Sequence, residues 1–324
     1  MPHALSGPAP GSPAVPDGVL VIDKPEGPTS HDVVARIRRA LGVRQVGHTG
    51  TLDPMATGVL ALVIGRATRL AQFLSCQEKA YFATVRLGVT TDTWDRTGAV
   101  LHQVEPETRL PDAVAIEQAL GAFLGEQPQA PPPFSAKKIA GVRAHELARK
   151  GRPVQAEAAL VTLHSATITA MDLRRVHLEV RCSAGYYVRA LAHELGRRLG
   201  CGACLDALRR TASGDFTIER ALRLEAVEEA PKMAWAQLVG LEDALPALPA
   251  LVLTEAAASR VLHGNDVGPG DWAATETGPG RASNPAFAGF AGDAIQLLSP
   301  GGQLLAIARP AARPGFLHPA VVLK

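Results

Sequence analysis

The apolar residues of this chain fall into short runs whose period switches between that of a strand and that of a helix, and this mixture constrains the fold most. Gly18–Ile22 is a short apolar run stopped by Asp23-Lys24-Pro25, which predicts a buried strand. Lys79–Val89 alternates apolar and polar residues as a half-buried strand does. Thr29-Ser30 is typical of a helix cap, and the apolar stripe that follows ends at Gly42.

Three further segments extend this pattern. Val114–Leu124 has helical spacing, Arg174–Cys182 alternates again, and a helical stripe containing Leu191 and Leu195 ends at Gly200. Strands and helices therefore mix without a regular strand–helix repeat. This favours an α+β fold with a mixed or antiparallel sheet over a doubly wound parallel one.

Changes in composition divide the chain. Met1–Pro16 contains five prolines and shows no periodicity, so we expect a disordered leader. The main domain is expected over 17–246, and Ala244–Ala250, with its repeated Leu-Pro, is typical of a linker. The short apolar runs in 247–324 predict a small β-rich domain, in which Gly278–Gly292 is a Gly/Pro/Ala-rich insertion.

The sequence argues against a membrane or secreted protein. The longest purely aliphatic stretch, Val59–Ile64, has six residues, whereas a membrane-spanning helix needs about 20. No lysine or arginine precedes Lys24, so the N-terminal region does not resemble a secretory signal. The four cysteines are too few and too scattered for a disulfide framework. A reducing, cytoplasmic location is therefore expected.

The net charge of +2 is nearly neutral, but the charges are segregated. Arg36–Arg69 holds six arginines and one acid, Ala136–Arg152 holds six basic residues and one acid, and Arg209-Arg210 adds a basic pair. Arg223–Asp243 is acidic instead. Together the basic clusters favour a polyanion-binding face, although each by itself is as easily explained as a solvated helix face.

The most unusual segment is Gly47–Leu60, which places one carboxylate, Asp53, in an arginine-rich and glycine-punctuated loop. Asp53-Pro54 could simply cap a helix. An ionised carboxylate on such a loop is also a candidate nucleophile or general base, and spacing alone does not choose between those roles. Cys201-Gly-Ala-Cys204 has the spacing of metal ligands but no second Cys/His pair nearby, so buried small residues are the better interpretation.

His48-Thr-Gly-Thr-Leu-Asp-Pro-Met-Ala-Thr-Gly58 resembles the catalytic-aspartate motif of the TruB family of tRNA pseudouridine synthases. Further segments match the same family in the same order, with a weaker likeness to a PUA-type RNA-binding module after residue 246. They are Gly18–Pro25, Lys79-Ala-Tyr81, Leu87–Thr93, Pro131–Arg143, Cys182–Arg189 and Leu208-Arg-Arg210. Phe134 and His145 stand where the family usually has tyrosine.

The resemblance implies a role for each matching position. Asp53 would attack C1′ of uridine 55 in the tRNA T-loop or remove its C2′ proton, and Arg189 would pair with Asp53. Tyr81 would stack on the extruded uracil, and His48 would fill the gap that the base leaves. Tyr187 and Leu208 would line the uridine pocket, and Lys24 would support the loop.

The resemblance further implies an isomerase that uses no cofactor and no metal, and that acts on tRNA as a monomer without an obligate protein partner. Two other readings stay open at this point. One is an RNA-binding or tRNA-folding protein without chemistry, which the joint presence of Asp53, Tyr81 and Arg189 disfavours, and the other is the catalytic subunit of a guide-RNA particle.

Overall fold

The computed structural model describes residues 16–134, 157–272 and 294–324, together with the backbone of two short strands at 138–139 and 142–143. The leader at 1–15, the rest of the basic cluster at 136–152 with His145, and the insertion at 278–292 lie outside the described residues.

The described strands alternate irregularly with helices along the chain. The strands are β1 (Gly18–Lys24), β2 (Val46–His48), β3 (Thr57–Ile64), β4 (Lys79–Leu87), β5 (Val89–Thr91), β6 (Val100–Gln103), β7 (Gly125–Gln129), β8 (Lys138–Ile139), β9 (Val142–Arg143), β10 (Ala159–Asp172), β11 (Arg175–Cys182), β12 (Ala203–Ser213), β13 (Phe216–Thr217), β14 (Leu222–Arg223), β15 (Ala250–Val252), β16 (Ile295–Leu298), β17 (Leu304–Pro310) and β18 (Leu317–Val322). The α-helices are α1 (Ser30–Leu41), α2 (Ala71–Ser75), α3 (Ala113–Gly121), α4 (Val188–Arg198), α5 (Leu224–Glu229), α6 (Pro231–Ala236) and α7 (Glu255–Val261).

Ten of the described strands form one mixed sheet. Its order is β14-β1-β3-β12-β4-β11-β10-β7, with β2 added to β3 and β13 added to β12. The β1–β14 and β3–β12 pairs are parallel, and the other neighbours are antiparallel. The predicted α+β class with a mixed sheet is confirmed. No helix among the described residues is long and apolar enough to cross a bilayer.

The central strands β1 and β3 are covered on both faces, which explains their unbroken apolar sequences. In β3, Leu60, Leu62 and Ile64 point to the side of the sheet covered by α1 and α4, whereas Val59 and Val63 point to the opposite side. Successive residues of a strand face opposite sides. One apolar run therefore contributes to two separate cores.

Helix α1 begins and ends where its sequence signals predict. The Thr29 hydroxyl accepts from the Asp32 amide at 3.1 Å, and the Asp32 carboxylate accepts from the Thr29 amide at 2.8 Å, a complete capping box. Gly42 ends the helix with a φ of +68°, a conformation that favours glycine. The buried stripe Val33, Val34 and Ile37 packs on the sheet.

A second, four-stranded sheet follows the large one, in the order β15-β16-β17-β18. One of its faces packs with α7 around its own apolar cluster, which includes Leu253, Val261 and Leu317. The other face contributes Leu304 and Ile307 to the cluster that also contains Val59 and Val63 of the large sheet. The small β-rich region is thus present, but it shares a core with the large sheet.

The segment Ala244–Ala250 is not the exposed linker that its prolines suggested. Ala244 and Leu245 are buried in the shared cluster, and Gln296 Nε2 donates to the carbonyls of Leu245 and Leu248 at 3.0 and 3.2 Å. The first part of the connection is buried, whereas Pro246 and Ala247 are exposed. The prolines of this segment are typical of a linker, but apolar residues beside them pack into the core.

Candidate active site

The loop that carries Asp53 connects β2 to β3 and is fastened to α1. The buried Ser30 hydroxyl accepts a hydrogen bond from the Leu52 amide at 2.8 Å and donates to the Leu52 carbonyl at 3.1 Å. The residues after Asp53 form a turn, not a helix, and the Ala56 amide donates to the Asp53 carbonyl at 3.0 Å. Asp53 therefore does not cap a helix.

Lys24 lies beneath this loop, at the end of β1, and is fully buried. Its ammonium donates to the carbonyls of Pro25 and Ala56, both at 2.8 Å, and to that of Pro54 at 3.3 Å. Burial lowers the Lys24 pKa to about 8, and the nearby carboxylate of Asp53 partly opposes this shift. The side chain ties the end of β1 to the backbone that directly follows Asp53.

Arg210 holds the other side of the loop from β12. Its guanidinium donates to the carbonyl of Val59 at 2.7 Å, of Gly50 at 3.0 Å and of Thr51 at 3.4 Å, and the side chain is buried. Gly58, at a φ of +99°, allows this close approach because a Cβ there would lie 2.2 Å from the Arg210 carbonyl oxygen.

Asp53 is paired with Arg189 at the start of α4. Arg189 Nε lies 2.9 Å from Asp53 Oδ2, and Nη2 lies 3.3 Å from Oδ1. The Asp53 side chain is 36% exposed, whereas that of Arg189 is 6% exposed. A two-point contact with a guanidinium sets the orientation of the carboxylate. The predicted pairing of these two residues is present.

Arg189 is itself held by the loop that follows β5. Its Nη1 donates to the Thr93 carbonyl at 3.1 Å and lies 3.5 Å from Asp95 Oδ2, while Nη2 donates to the Phe134 carbonyl at 2.9 Å. Asp95 is buried, and its Oδ1 also accepts from the Thr97 amide at 2.9 Å. Each nitrogen of the guanidinium therefore has an acceptor, and the group has little freedom to turn.

A cavity of about 240 Å³ opens beside Asp53. It is smaller than the ~300–1,000 Å³ of pockets that take drug-sized ligands, so it suits a single extruded base. Five of the seven predicted site residues line it, and so do all three tyrosines of the chain. The five are Asp53, Tyr81, Tyr187, Arg189 and Leu208, and the third tyrosine is Tyr186.

Tyr81 and Leu208 reach the cavity from paired strands. Tyr81 lies on β4 opposite Arg210, and Leu208 lies on β12 opposite Ala83. Both side chains are buried, and burial raises the pKa of the Tyr81 hydroxyl. A neutral aromatic ring with its hydroxyl toward Arg210 offers a flat apolar surface beside the carboxylate.

Tyr187 is placed by backbone contacts at the first turn of α4. Its amide donates to Gln129 Oε1 at 2.8 Å, and its carbonyl accepts from Gln129 Nε2 at 3.2 Å. The glutamine thus ties the end of β7 to the helix that carries Arg189.

His48 does not line the cavity but lies at the end of β2 on the same loop. Its ring meets that of His31 edge to face, with centroids 5.4 Å apart. Burial, and then the neighbouring His31 and Arg210, lower the His48 pKa to about 4, so the ring is neutral at pH 7. Its buried Nδ1 has no hydrogen-bond partner among the described residues.

Several side chains of the site were not predicted from the sequence. Arg210 was interpreted with Arg209 as a solvated or phosphate-binding pair, but it is buried under the loop, and Arg209 pairs with Asp23 at 2.8 Å. Lys79 also lines the cavity, and burial lowers its pKa to about 8. Asp95 gave no local signal in the sequence.

Part of the first basic cluster is paired with the acidic stretch in the folded protein. Arg36 Nη2 lies 2.5 Å from Glu228 and 3.7 Å from Glu225, both on α5 in the acidic stretch. Arg66 pairs with Asp17, and Arg69 donates to the Val322 carbonyl. These three arginines of the first basic cluster have partners within the protein.

Cys204 is buried in β12, as the packing interpretation of Cys201 and Cys204 predicts, and Cys201 is partly buried against the same core. Burial raises the pKa of both thiols. Among the described residues, no three His, Cys, Asp or Glu side chains cluster as metal ligands would.

Comparison with known sequences agrees with this geometry. Residues 38–188 match the N-terminal domain of the TruB family pseudouridylate synthases, and residues 189–250 match the C-terminal domain of tRNA pseudouridylate synthase B. Curated relatives named tRNA pseudouridine synthase B include those of Solibacter usitatus, 41% identical over 95% of this chain and 100% of the relative, and of Geobacter sulfurreducens, 46% identical over 76% and 82%.

The two family models and the curated relatives together show that the chain is a pseudouridine synthase, an enzyme of the isomerase class. The chain belongs to the TruB family of tRNA pseudouridine synthases.

Solved structures of the same fold come from larger assemblies. A chain of a Cbf5-Nop10-Gar1 complex superposes with a TM-score of 0.69 at 27% identity, over 95% of this chain and 84% of that one. A chain of an H/ACA RNP bound to a substrate RNA containing 2′-deoxyuridine also gives a TM-score of 0.69 at 24% identity and shares the fold.

Proposed function

We propose that this enzyme converts uridine 55 in the T-loop of tRNA to pseudouridine, with Asp53 acting on the ribose of the extruded nucleotide. The observation that carries the proposal is the position of Asp53. Its carboxylate is oriented by the buried Arg189 and is exposed at a cavity lined by Tyr81 and Leu208. The names of the curated relatives support tRNA as the substrate.

The isomerisation breaks the N1–C1′ bond and forms a C5–C1′ bond. Asp53 either attacks C1′, so that a covalent ester holds the ribose, or removes the C2′ proton, so that a glycal forms. In both cases the detached uracil turns over in the cavity and bonds to C1′ through C5. In the first route the new C5–C1′ bond displaces the Asp53 carboxylate from C1′, and in the second route Asp53 gives its proton back to C2′. The C5 proton then leaves, N1 ends protonated, and Asp53 is again a carboxylate. The reaction therefore requires an ionised carboxylate beside the ribose and a cavity that retains the detached uracil.

Tyr81 and His48 offset the free-energy cost of extruding the base from the T-loop. Extrusion costs a few kcal/mol, and stacking on an aromatic ring returns ~1–3 kcal/mol per base. Tyr81 is the stacking surface inside the cavity, and Leu208 and Tyr187 line it. His48 fills the gap as a neutral ring, because its pKa is held near 4 by burial.

The remaining parts of the chain serve RNA binding in this proposal. Residues 17–246 form the catalytic domain, and 247–324 form a PUA-like module that contacts the tRNA outside the T-loop. The enzyme acts in the cytoplasm as a single chain. A shared apolar core supports a fixed arrangement of the two parts, because Leu304 and Ile307 of the small sheet belong to the same cluster as Val59 and Val63 of the large one.

The position of the product tests this proposal. A tRNA transcript is incubated with the enzyme, and pseudouridine is mapped by carbodiimide modification and primer extension. We expect one new stop, at position 55, and none in a matched transcript carrying cytidine at that position. A product at another uridine would overturn the assignment of the substrate position. Tight tRNA binding without any product would favour the alternative of an RNA-binding or tRNA-folding protein without chemistry.

A further inference from the structure

The loop between β5 and β6 contains a residue in a costly backbone conformation. Trp94 has a φ of +64°, and no other non-glycine residue in the described part of the chain has a positive φ. A bulky residue rarely adopts this left-handed conformation. Such strain persists only where surrounding contacts enforce it, and it is common beside functional sites.

The neighbours of Trp94 are the groups that hold Arg189. The Thr93 carbonyl accepts from Arg189 Nη1, and the carboxylate of Asp95 lies 3.5 Å from the same nitrogen. The backbone of the loop is fastened to β12, because the Leu205 amide donates to the Trp94 carbonyl at 2.9 Å. That contact does not reach α4, the helix on which Arg189 lies.

The Trp94 ring supplies a link to α4. It stacks on His193 with centroids 4.4 Å apart and planes 6° from parallel. His193 follows Arg189 by four residues, so the two side chains lie on the same face of the helix, one turn apart. Burial lowers the pKa of His193, which favours the neutral form of the ring.

We propose that Trp94 and His193 form a clamp that presses the loop 91–97 against α4 and so fixes the direction in which Arg189 presents its guanidinium to Asp53. Both are positioning residues, since neither lines the cavity beside Asp53. The inference rests on the proposed function, in which Asp53 carries the chemistry. Its physical basis is that a misplacement of about 1 Å in a reacting group can cost ~100-fold in rate.

Four single variants, together with His193→Ala and the double variant Trp94→Ala with His193→Ala, separate positioning from stability. Trp94→Ala removes the ring and keeps the strained backbone, whereas Trp94→Gly removes both the ring and the strain. Trp94→Phe and His193→Phe keep an aromatic surface for stacking. Each protein is measured for its melting temperature, its tRNA dissociation constant and its single-turnover rate of pseudouridine formation at saturating tRNA.

We expect the alanine and glycine variants to lose about tenfold or more in single-turnover rate while their tRNA dissociation constants stay within about twofold. Trp94→Gly should melt at a higher temperature than Trp94→Ala yet be no faster. The two phenylalanine variants should recover most of the rate. In a double-mutant cycle, Trp94→Ala with His193→Ala should be no slower than either single variant, because both remove the same contact.

Trp235→Leu is the matched control, since Trp235 packs against the core on α6 and does not line the cavity. Its melting temperature should fall and its rate should not. A wild-type rate in Trp94→Ala would overturn the clamp, as would a rate that follows melting temperature across all variants. Asp53→Asn is measured alongside. If it were active, the proposed function itself would fail, and the clamp would be judged separately by its own variants.

Discussion

Arg189 contacts two carboxylates with one guanidinium: its Nε lies 2.9 Å from Asp53 Oδ2, and its Nη1 lies 3.5 Å from Asp95 Oδ2. The arginine and Asp95 are buried, whereas Asp53 is partly exposed. The buried pair is therefore the fixed part of the site, and Asp53 is the member that faces the cavity. A partly exposed carboxylate on a loop thus gains its orientation from a buried partner.

Arg189→Lys should retain charge and lose orientation. An ammonium makes point contacts and cannot bridge Asp53, Thr93 and Asp95 in the plane of a guanidinium. We expect the single-turnover rate to fall by about 100-fold with little change in tRNA binding. Arg209→Lys is the control, because Arg209 pairs with Asp23 and does not line the cavity. Near wild-type turnover in Arg189→Lys would show that orientation by the guanidinium is unimportant.

Tyr81 should matter mainly as an aromatic surface. Tyr81→Phe keeps stacking, whereas Tyr81→Leu removes it and should weaken retention of the extruded base by ~1–3 kcal/mol. Single-turnover rates and binding of a T-loop RNA measure both effects. Phe82→Leu on the opposite face of β4 is the control, because Phe82 is half exposed. If Tyr81→Phe and Tyr81→Leu had equally mild effects on rate and binding, Tyr81 would be only a core residue of its strand.

Lys24 should give the unfolding free energy a distinctive pH dependence. Its pKa is lowered from 10.5 to about 8 in the folded protein. Between these values the unfolded chain binds more protons, so stability contributed by Lys24 rises as pH increases. The unfolding free energy of the wild type, relative to that of Lys24→Met, should therefore increase by up to about 3 kcal/mol across this pH window.

Denaturant unfolding at several pH values from 7 to 10.5 measures this difference. Lys79 shows the same direction of shift but is present in both proteins, so its contribution cancels. Lys232→Met, at an exposed position on α6, is the control and should give a flat difference. If the unfolding free energies of wild type and Lys24→Met changed in parallel with pH, this would contradict a buried Lys24 ammonium bound by carbonyls.

Truncation after Pro246 should destabilise the large sheet. Removing the small sheet takes Leu304 and Ile307 out of the cluster that they share with Val59 and Val63. We expect the truncated chain to melt about 10 °C lower and to bind a hydrophobic dye, in keeping with a loss of several kcal/mol in a domain of this size. An unchanged melting temperature would mean that the two sheets are independent.

A pair of point variants locates the effect without truncation. Leu304→Ala lies in the shared cluster, whereas Leu317→Ala lies in the cluster that belongs to the small sheet with α7. Hydrogen exchange should speed up in β1 and β3 for Leu304→Ala and remain slow there for Leu317→Ala. Equal exchange in both variants would contradict a core shared between the sheets.

Local signals predicted the elements well. The cap at Thr29, the end at Gly42 and the alternation of β4 depend on neighbours within a few residues, and the structure confirms each. The buried position of Arg210 could also have been derived. The period of two that turns Leu208 inward turns Arg210 inward as well, opposite Tyr81.

Other features depend on contacts between distant parts of the chain. Asp95 reaches Arg189 across 94 positions, and Arg36 reaches Glu228 across 192, so neither pairing has a local signature. The segment Ala244–Ala250 is typical of a linker because prolines mark exposed connections, whereas the burial of Ala244 and Leu245 depends on a sheet formed later in the chain. Tertiary packing overrides the local pattern at such places.

Release of tritium from tRNA labelled at C5 of uridine tests the central role of Asp53 most directly. Asp53→Asn keeps the shape of the side chain and removes its negative charge, and Asp206→Asn, which lies in a separate ion pair with Arg175, serves as the control. With tRNA binding and melting temperature close to wild type, we expect no release above background from Asp53→Asn and normal release from the control. Release within tenfold of the wild-type rate would remove Asp53 from the chemistry.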